Sequence, residues 1–294
     1  MLRKLSELWL DNNQLEEEFP PQLLSLTALT VLQIQGNQLK HLPTDLSAFQ
    51  FMKELRCSDN ALQSIPPSIG LLRSLVVVDV SFNQLAILPA QISTCISLKV
   101  IRARSNQLKT IPSELVRLGQ LEDLLLDGNP IVRLHPKVAT MPLRHLTYDI
   151  EHLQSPPLAI ASKGTEFTLH YLRLLRAAET RERLELDKMM LDMVPSEACE
   201  IQKLKHLSLE HNEIYLIPPH LLMLTALESL MLAHNQIETL PPFLTELTAL
   251  KLLDVSHNKV KFIFIIFRCL SGTHANTKYM HPFIACIHLM LASI

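Results

Sequence analysis

The sequence has few of the residues that nucleotide-binding loops and hydrolytic active sites require. Its 294 residues include only 6 glycines, and no stretch fits G-x-x-x-x-G-K-[ST] or G-x-G-x-x-G, the glycine-rich loops that bind phosphate. The G-x-S-x-G turn, the H-E-x-x-H helix and the kinase motif set are also absent. We therefore expect a protein that is not an enzyme and that needs no cofactor.

Neither sign of charge is in excess. The chain carries 27 Lys and Arg against 29 Asp and Glu, a formal net charge of -2, which gives no general attraction for a phosphate backbone and argues against a nucleic-acid partner. The longest apolar run begins at Phe262 and is about half as long as the roughly 20 residues that a membrane-spanning helix needs. No transmembrane segment is expected.

The five cysteines are scattered, without the C-x-x-C pairs of metal sites or the cysteine-rich caps of extracellular repeat proteins. The first ten residues contain no uninterrupted apolar run of a secretory signal. These two observations predict a reducing, cytoplasmic setting. Cys57 occupies a position at which the pattern described next places an inward leucine, so we expect it to be buried and unreactive.

One phrase, L-x-x-L-x-L-x-x-N-x-L, recurs along most of the chain, and residues 121–131 are its clearest copy. The spacing between its asparagines is 24 residues once and otherwise 23 within each of two blocks. The asparagines are Asn13, Asn37, Asn60, Asn83, Asn106, Asn129, Asn212, Asn235 and Asn258. A Leu-Pro or Ile-Pro step, such as Leu88-Pro89, follows most of them.

The phrase predicts a short strand, then a turn. In the copy at 98–104, Ile101 and Ala103 point inward, while Val100, Arg102 and Arg104 face the other way. Strands of successive copies would pair in parallel, and the asparagine amide could bond backbone groups of adjacent turns. We predict an α/β solenoid with a parallel sheet on its concave face and short return segments, fixed by proline, on the other side.

Two weaker copies fill the gap between the blocks, with Glu151 and Met189 at the asparagine position, so about eleven repeats are expected. An irregular region at about 143–200 includes an insert whose apolar spacing predicts a helix at about 165–178, with Thr165 as its N-cap. We expect this helix to pack on the solenoid and the asparagine bonds to be interrupted at the two weaker copies.

The solenoid is predicted to occupy residues 1–260. Residues 261–294 do not continue the pattern, and neither end has the polar outer face with which repeat arrays usually end. We expect this atypical hydrophobic tail to reflect a truncated or mis-spliced gene product.

The outward positions of the strands are the candidate binding surface. Aromatic and arginine side chains are common binding anchors, so Trp9, Arg56, Arg102 and Arg104 are the first candidates. The candidate surface consists of Trp9, Gln33, Arg56, Asp79, Arg102, Arg104, Asp123, Leu125 and Asp127. The alternative is that Arg56, Asp79, Arg102 and Asp123 only pair with one another across strands, which stabilises little.

A column of histidines precedes the last three asparagines, at His211, His234 and His257. Three imidazoles at the spacing of neighbouring strands could bind a metal ion. The turns are exposed and show no second set of supporting residues, so we expect no metal here.

The 23-residue copies, of which 75–85 followed by Leu88-Pro89 is typical, resemble the intracellular Ras-group leucine-rich repeat proteins, which include animal Ras-pathway scaffolds and plant relatives. The insert, with Pro156-Pro157, Gly164-Thr165 and Tyr171-Leu172-Arg173, is also similar to a segment of such proteins. The resemblance implies a horseshoe-shaped, non-enzymatic scaffold in signal transduction that binds proteins, in some members small GTPases or phosphatase subunits.

Our first hypothesis is an intracellular protein–protein interaction scaffold that binds its partner on the concave face. The alternative is the regulatory or sensor portion of a larger signalling enzyme, such as a kinase, GTPase or ubiquitin ligase. A third possibility is a structural component of cilia or the cytoskeleton.

Overall fold

The computed structural model describes Leu2 and residues 4–263. These residues form two compact units, divided between Gln154 and Ser155. The predicted tail at 261–294 lies outside the described residues from 264 onwards. Each unit is built from repeats of the predicted kind, a short strand followed by a turn and a return segment.

The first unit contains a seven-stranded parallel sheet whose strands are paired in chain order. The strands are β1 (Glu7–Trp9), β2 (Val31–Gln33), β3 (Glu54–Arg56), β4 (Val77–Asp79), β5 (Val100–Arg102), β6 (Asp123–Leu125) and β7 (His145–Thr147). Leu55 of β3 lies opposite Val78 of β4, which lies opposite Ile101 of β5. The 23-residue spacing of the sequence is therefore the register of the sheet.

The strands alternate as predicted between core and surface. The central residue of each strand from β2 to β7 is buried, whereas the first and third residues are at least partly accessible. Ala103, two residues beyond the centre of β5, is also buried, and Cys57 fills the equivalent place after β3 with no exposed surface. Burial raises the pKa of the Cys57 thiol, which keeps it protonated and unreactive.

The return segments of the first unit are short 3-10 helices. They span Pro21–Ser25, Ser47–Phe49, Pro67–Leu71, Ala90–Thr94, Ser113–Arg117 and Pro136–Thr140. An extended proline, such as Pro66 or Pro89, immediately precedes four of them. Because proline fixes its own φ and lacks an N–H, it ends strand pairing and directs the chain into the return.

The second unit contains the strands β8 (Arg183–Glu185), β9 (His206–Ser208), β10 (Ser229–Met231), β11 (Thr239–Leu240), β12 (Leu252–Asp254) and β13 (Phe262–Ile263). The order β8-β9-β10-β12 forms a four-stranded parallel sheet, and β11 pairs with β13 outside it. Two 3-10 helices, Pro219–Met223 and Pro242–Glu246, are the return segments.

Three helices complete the second unit: α1 (Leu158–Ala161), α2 (Thr165–Arg181) and α3 (Ser196–Cys199). The predicted insert helix is α2, which packs against β8. Leu169, Leu172 and Leu175 are buried in α2, whereas Phe167 and Leu174 are only half-buried. The Tyr171 hydroxyl donates to the buried carboxylate of Glu197, at 2.8 Å, and so ties α2 to α3.

The predicted start of α2 at 165 is confirmed, but its N-cap and its C-terminal end were wrong. Thr165 is the first helical residue and not the N-cap; Gly164 precedes the helix at φ 92°, a conformation that favours glycine. The helix continues three residues past 178 and ends at Arg181, because Glu182 takes a left-handed conformation and its N–H donates to the Ala178 carbonyl.

Candidate binding surfaces on the two sheets

The asparagine after each strand holds two successive repeats together. The Asn83 amide group donates to the carbonyls of Cys57, Val80 and Ser81 at 3.0 to 3.1 Å. Its oxygen accepts from the Leu62 N–H at 2.8 Å. Cys57 and Leu62 belong to the preceding repeat, so the Asn83 side chain closes the turn of that repeat.

Seven other asparagines make the same four bonds, namely Asn37, Asn60, Asn106, Asn129, Asn212, Asn235 and Asn258. Asn13, in the first described repeat, is different. It is exposed, and its amide donates to the Asp11 carbonyl.

The two weaker repeats lack this asparagine. Glu151 is exposed and Met189 is buried. The Ile131 N–H, which the pattern would pair with an asparagine at 151, donates to the carbonyl of Asn129 instead. The Asp149 carboxylate accepts from the Gly128 N–H at 2.7 Å and provides a substitute contact between these two turns.

At ten of the eleven asparagine positions, which we call the ladder positions, the preceding residue has a left-handed backbone, whereas Ile150, before Glu151, does not. The sequence pattern did not predict this. The ten residues are Asn12, Gly36, Asp59, Phe82, Ser105, Gly128, Lys188, His211, His234 and His257. The signal was present in the sequence, because glycine, asparagine and aspartate tolerate this conformation best and fill four of the first six places.

The histidine column stacks its rings. The His234 ring lies 4.2 Å from that of His211 and 4.1 Å from that of His257, with interplanar angles of 7° and 6°. Ring-nitrogen lone pairs lie in the ring plane, so stacked rings do not aim them at one point. Within the described part of the chain no three His, Cys, Asp or Glu side chains form a metal-binding group.

The stack affects the protonation of its central member. Loss of surrounding water, together with the neighbouring imidazoles of His257 and His211, lowers the pKa of His234 below its ordinary value of 6.5. Glu210 and Asp254 oppose this shift. His234 therefore favours the neutral form in the folded protein.

The predicted binding residues of the first unit lie on the outward side of its sheet. The third residues of β1 to β6 form one column in register: Trp9, Gln33, Arg56, Asp79, Arg102 and Leu125. Trp9 is 66% exposed, and the other five are half-buried. Arg104, Asp123 and Asp127 lie in the neighbouring columns. We call this side of the sheet the first-unit face.

The arginines of the first-unit face are held by carboxylates. Arg104 Nε donates to Asp127 at 3.0 Å, and the Thr147 hydroxyl also donates to that carboxylate. Arg102 and Asp79, on adjacent strands, approach to 4.0 Å. Each of these two arginines thus has a carboxylate within 4.0 Å on a neighbouring strand or at its end.

The predicted pairing across strands holds for Arg102 and Asp79 alone. Arg56 turns to Glu54 of its own strand, at 2.8 Å. Asp123 lies 2.7 Å from His145 Nδ1 on β7. His145 is not among the residues predicted from the sequence to lie on this surface.

Two valines form the apolar centre of the first-unit face. Val77 and Val100 are side by side on β4 and β5, and both are half-buried. Lys53 and Lys99, each just before a strand, are exposed and form no ion pair with any described residue. The candidate surface is therefore a short apolar strip with cationic and acidic side chains around it.

Comparisons with known proteins agree with this fold. Residues 202–260 and residues 4–26 match the leucine-rich repeat family in two of its forms. Together with the parallel sheets and the asparagine bonds, the matches support a leucine-rich repeat protein with a solenoid fold. No curated protein matched the sequence.

Similar solved structures come from bacteria and plants. A leucine-rich repeat protein of Leptospira interrogans is 25% identical with a TM-score of 0.46, over 88% of this chain and 68% of that one. The ectodomain of the Arabidopsis thaliana receptor kinase GASSHO1/SCHENGEN3, solved with CASPARIAN STRIP INTEGRITY FACTOR 2, is 24% identical with a TM-score of 0.49. That match covers 87% of this chain and 33% of the ectodomain.

No helix among the described residues is long and apolar enough to cross a membrane.

Proposed function

We propose that this chain is an intracellular, non-enzymatic scaffold of the Ras-group leucine-rich repeat type, which binds a partner protein on the first-unit face. The observation that carries the proposal is the apolar strip of Val77 and Val100 with Arg56, Arg102 and Arg104 around it. Such a strip offers a partner both apolar area and fixed hydrogen-bond donors.

The ion pairs of these arginines leave binding capacity unused. A guanidinium has five N–H donors in a rigid fork, and a single carboxylate engages at most two of them. Arg102 and Arg104 retain 35% and 45% exposure of their side chains. Each can therefore donate to a partner without losing the carboxylate that orients it.

Arg56 is placed in a way that stability alone does not explain. Its Nε atom is shielded from water and has no hydrogen-bond partner within the described residues. Leaving a donor in this state costs about 1 to 3 kcal/mol, and a surface ion pair such as Arg56–Glu54 returns about 1 kcal/mol at most. A role in binding gives a reason for an arginine at this position.

The test is affinity capture with the full chain and with the triple variant Arg56→Glu, Arg102→Glu, Arg104→Glu, followed by quantitative mass spectrometry. Purified small GTPases and phosphatase subunits, which the family resemblance implies, are tested in parallel. Reversal of three anchor charges is expected to lower capture of specific partners at least about tenfold.

The control variant carries Arg73→Glu, Lys109→Glu and Arg117→Glu, which make the same change in net charge at exposed positions away from the sheet. Both variants must retain the melting temperature of the unmodified chain to within a few degrees. Equal retention of the partners by both variants would show that the first-unit face does not bind them.

A further inference from the structure

We propose that the outward side of the four-stranded sheet in the second unit docks an extended segment of a partner protein that is rich in lysine or arginine. This surface, called the second-unit face, is formed by the outward residues of β8, β9, β10 and β12 and by the residues at the ends of these strands. It is independent of the surface proposed above.

The two faces differ in charge when equivalent positions are compared. Four positions are compared for each strand: the residue before the strand, its first and third residues, and the second residue after it. Strands β3 to β6 carry five basic and five acidic residues there: Lys53, Arg56, Lys99, Arg102, Arg104 and Glu54, Asp79, Glu122, Asp123, Asp127. The second-unit face carries three basic and six acidic residues: Arg183, Lys205, Lys251 and Glu182, Glu185, Asp187, Glu210, Glu228, Asp254.

The pairing of these charges sharpens the contrast. On β3 to β6 four of the five carboxylates have an arginine partner, in the pairs Glu54–Arg56, Asp79–Arg102, Glu122–Arg144 and Asp127–Arg104, and Asp123 lies against His145. On the second-unit face all three basic residues are already used, in the pairs Arg183–Glu185, Lys205–Glu182 and Lys251–Glu228. Asp187, Glu210 and Asp254 are left without a Lys or Arg partner in the described chain.

Two of these three carboxylates are held in fixed positions. Asp187 Oδ1 accepts from the Ser208 hydroxyl at 2.6 Å and from the Glu210 N–H at 2.8 Å. Asp254 Oδ1 accepts from the Ser256 N–H at 2.9 Å. In each case the same oxygen takes the internal bonds, which leaves the second oxygen for a partner.

The centre of the second-unit face can receive a side chain. A depression of about 50 Å³ is lined by Arg183, Glu185, His206, Ser208, Ser229 and Met231. Ser208 and Ser229 are small and leave the space, while Met231 and the 36% exposed Leu252 provide apolar surface beside it. The aliphatic stem of a lysine or arginine fits such a place, with its charge directed to the free carboxylates.

Charge decides between the possible occupants. Nucleic acid and anionic lipid would be repelled. Strands β3 to β6 of a second copy are balanced in charge and so are a poor complement, and no three carboxylates among the described residues converge as metal ligands do. Strands of a sheet lie about 4.8 Å apart, and alternate side chains of an extended segment are about 6.6 Å apart. A basic segment laid across the strands can therefore reach several carboxylates at once.

The experiment titrates the full chain into a fluorescent nine-residue peptide, in which lysines alternate with serine around a central leucine, and follows anisotropy at low salt. The variant Asp187→Asn, Glu210→Gln, Asp254→Asn removes three charges, while the amide oxygens still accept the internal bonds. We expect it to bind the peptide at least about tenfold more weakly. Added salt should weaken binding to the unmodified chain because the charges are exposed.

The matched control is Asp192→Asn, Glu213→Gln, Glu246→Gln, which makes the same charge change at exposed positions of the second unit outside this face and should alter the affinity less than about twofold. The Met231 methyl resonance, assigned with Met231→Leu, should shift when the lysine peptide binds. Absence of binding at millimolar peptide, equal binding of a glutamate or glutamine version, or equal binding by the second-unit variant would overturn the proposal.

Discussion

In the first unit, the residue before the ladder asparagine is glycine at 36 and 128, whereas in the second unit it is histidine at 211, 234 and 257. All five have φ between 53° and 73°. Glycine adopts this conformation without steric cost, whereas the Cβ atom of a histidine crowds the backbone and makes the conformation unfavourable. The asparagine bonds therefore fix the backbone in both units, and the side chain at this place is free to differ.

The outward residues of the two sheets also differ, although the repeat that carries them is the same. Strand register and inward burial are alike in the two sheets, but strands β3 to β6 of the first unit are balanced in charge and the second-unit face is acidic. The residues that build the repeat are thus different from the residues that distinguish one repeat from another.

The largest expected effect concerns the asparagine bonds, which both units contain. Asn83→Ala in the first unit and Asn235→Ala in the second should each lower the free energy of unfolding by about 3 kcal/mol, because buried backbone groups lose their partners. Both asparagines are less than a tenth exposed. Urea unfolding followed by circular dichroism measures the change.

Asn13→Ala is the control for these two variants. Asn13 is exposed and bonds within its own turn, so its loss should cost about 0.5 kcal/mol or less. A cost as large as that of Asn83→Ala would contradict the view that the bonds to the preceding repeat provide the stability.

A smaller effect tests the glycine at the left-handed position. Gly128 has φ 73°, and a Cβ there would lie 2.7 Å from Ser105 Oγ and 2.9 Å from the Ser105 backbone nitrogen. Gly128→Ala should cost about 1 to 2 kcal/mol. At Gly119 nothing lies within 4 Å of an added Cβ, so Gly119→Ala should be neutral or slightly stabilising. Thermal unfolding of both variants makes the comparison.

The smallest expected effect is specific to the second unit. Because the folded-state pKa of His234 is lowered from 6.5, the unfolded chain binds a proton there more readily. The stabilising contribution is fully present above the ordinary pKa and is lost as the pH falls through it toward the lowered value. The melting temperature should therefore decrease between about pH 7.5 and about pH 5.5.

His234→Asn removes the titrating group and tolerates the left-handed backbone. Its melting temperature should decrease less over the same pH range than that of the unmodified chain. An identical decrease in the two proteins would mean that the histidine stack does not contribute to acid sensitivity.

Much of the fold follows from the sequence because it depends on spacing. The 23-residue period gives the register of Leu55, Val78 and Ile101 directly, and the leucine pattern gives the inward residues. The helix α2 was predicted from its apolar spacing, but its ends depended on the local backbone of Gly164 and Glu182, which spacing does not determine.

Less of the candidate site could be predicted. The period places Arg56 and Asp79 opposite each other, yet Arg56 bonds Glu54 along its own strand. Whether an arginine pairs with a neighbour along its strand or with one across from it depends on side-chain length and rotamer, which a periodic pattern does not determine. Whether any of these residues bind a partner stays a prediction.

The asparagine bonds have a direction, and this gives the chain an order of assembly. The turn that follows Leu10 is closed by Asn37, which donates to the Leu10 carbonyl and accepts from the Leu15 N–H. Every turn that is closed in this way is completed by a side chain about one repeat later in the sequence. During synthesis from the amino terminus, such a turn cannot be closed before the following repeat has left the ribosome.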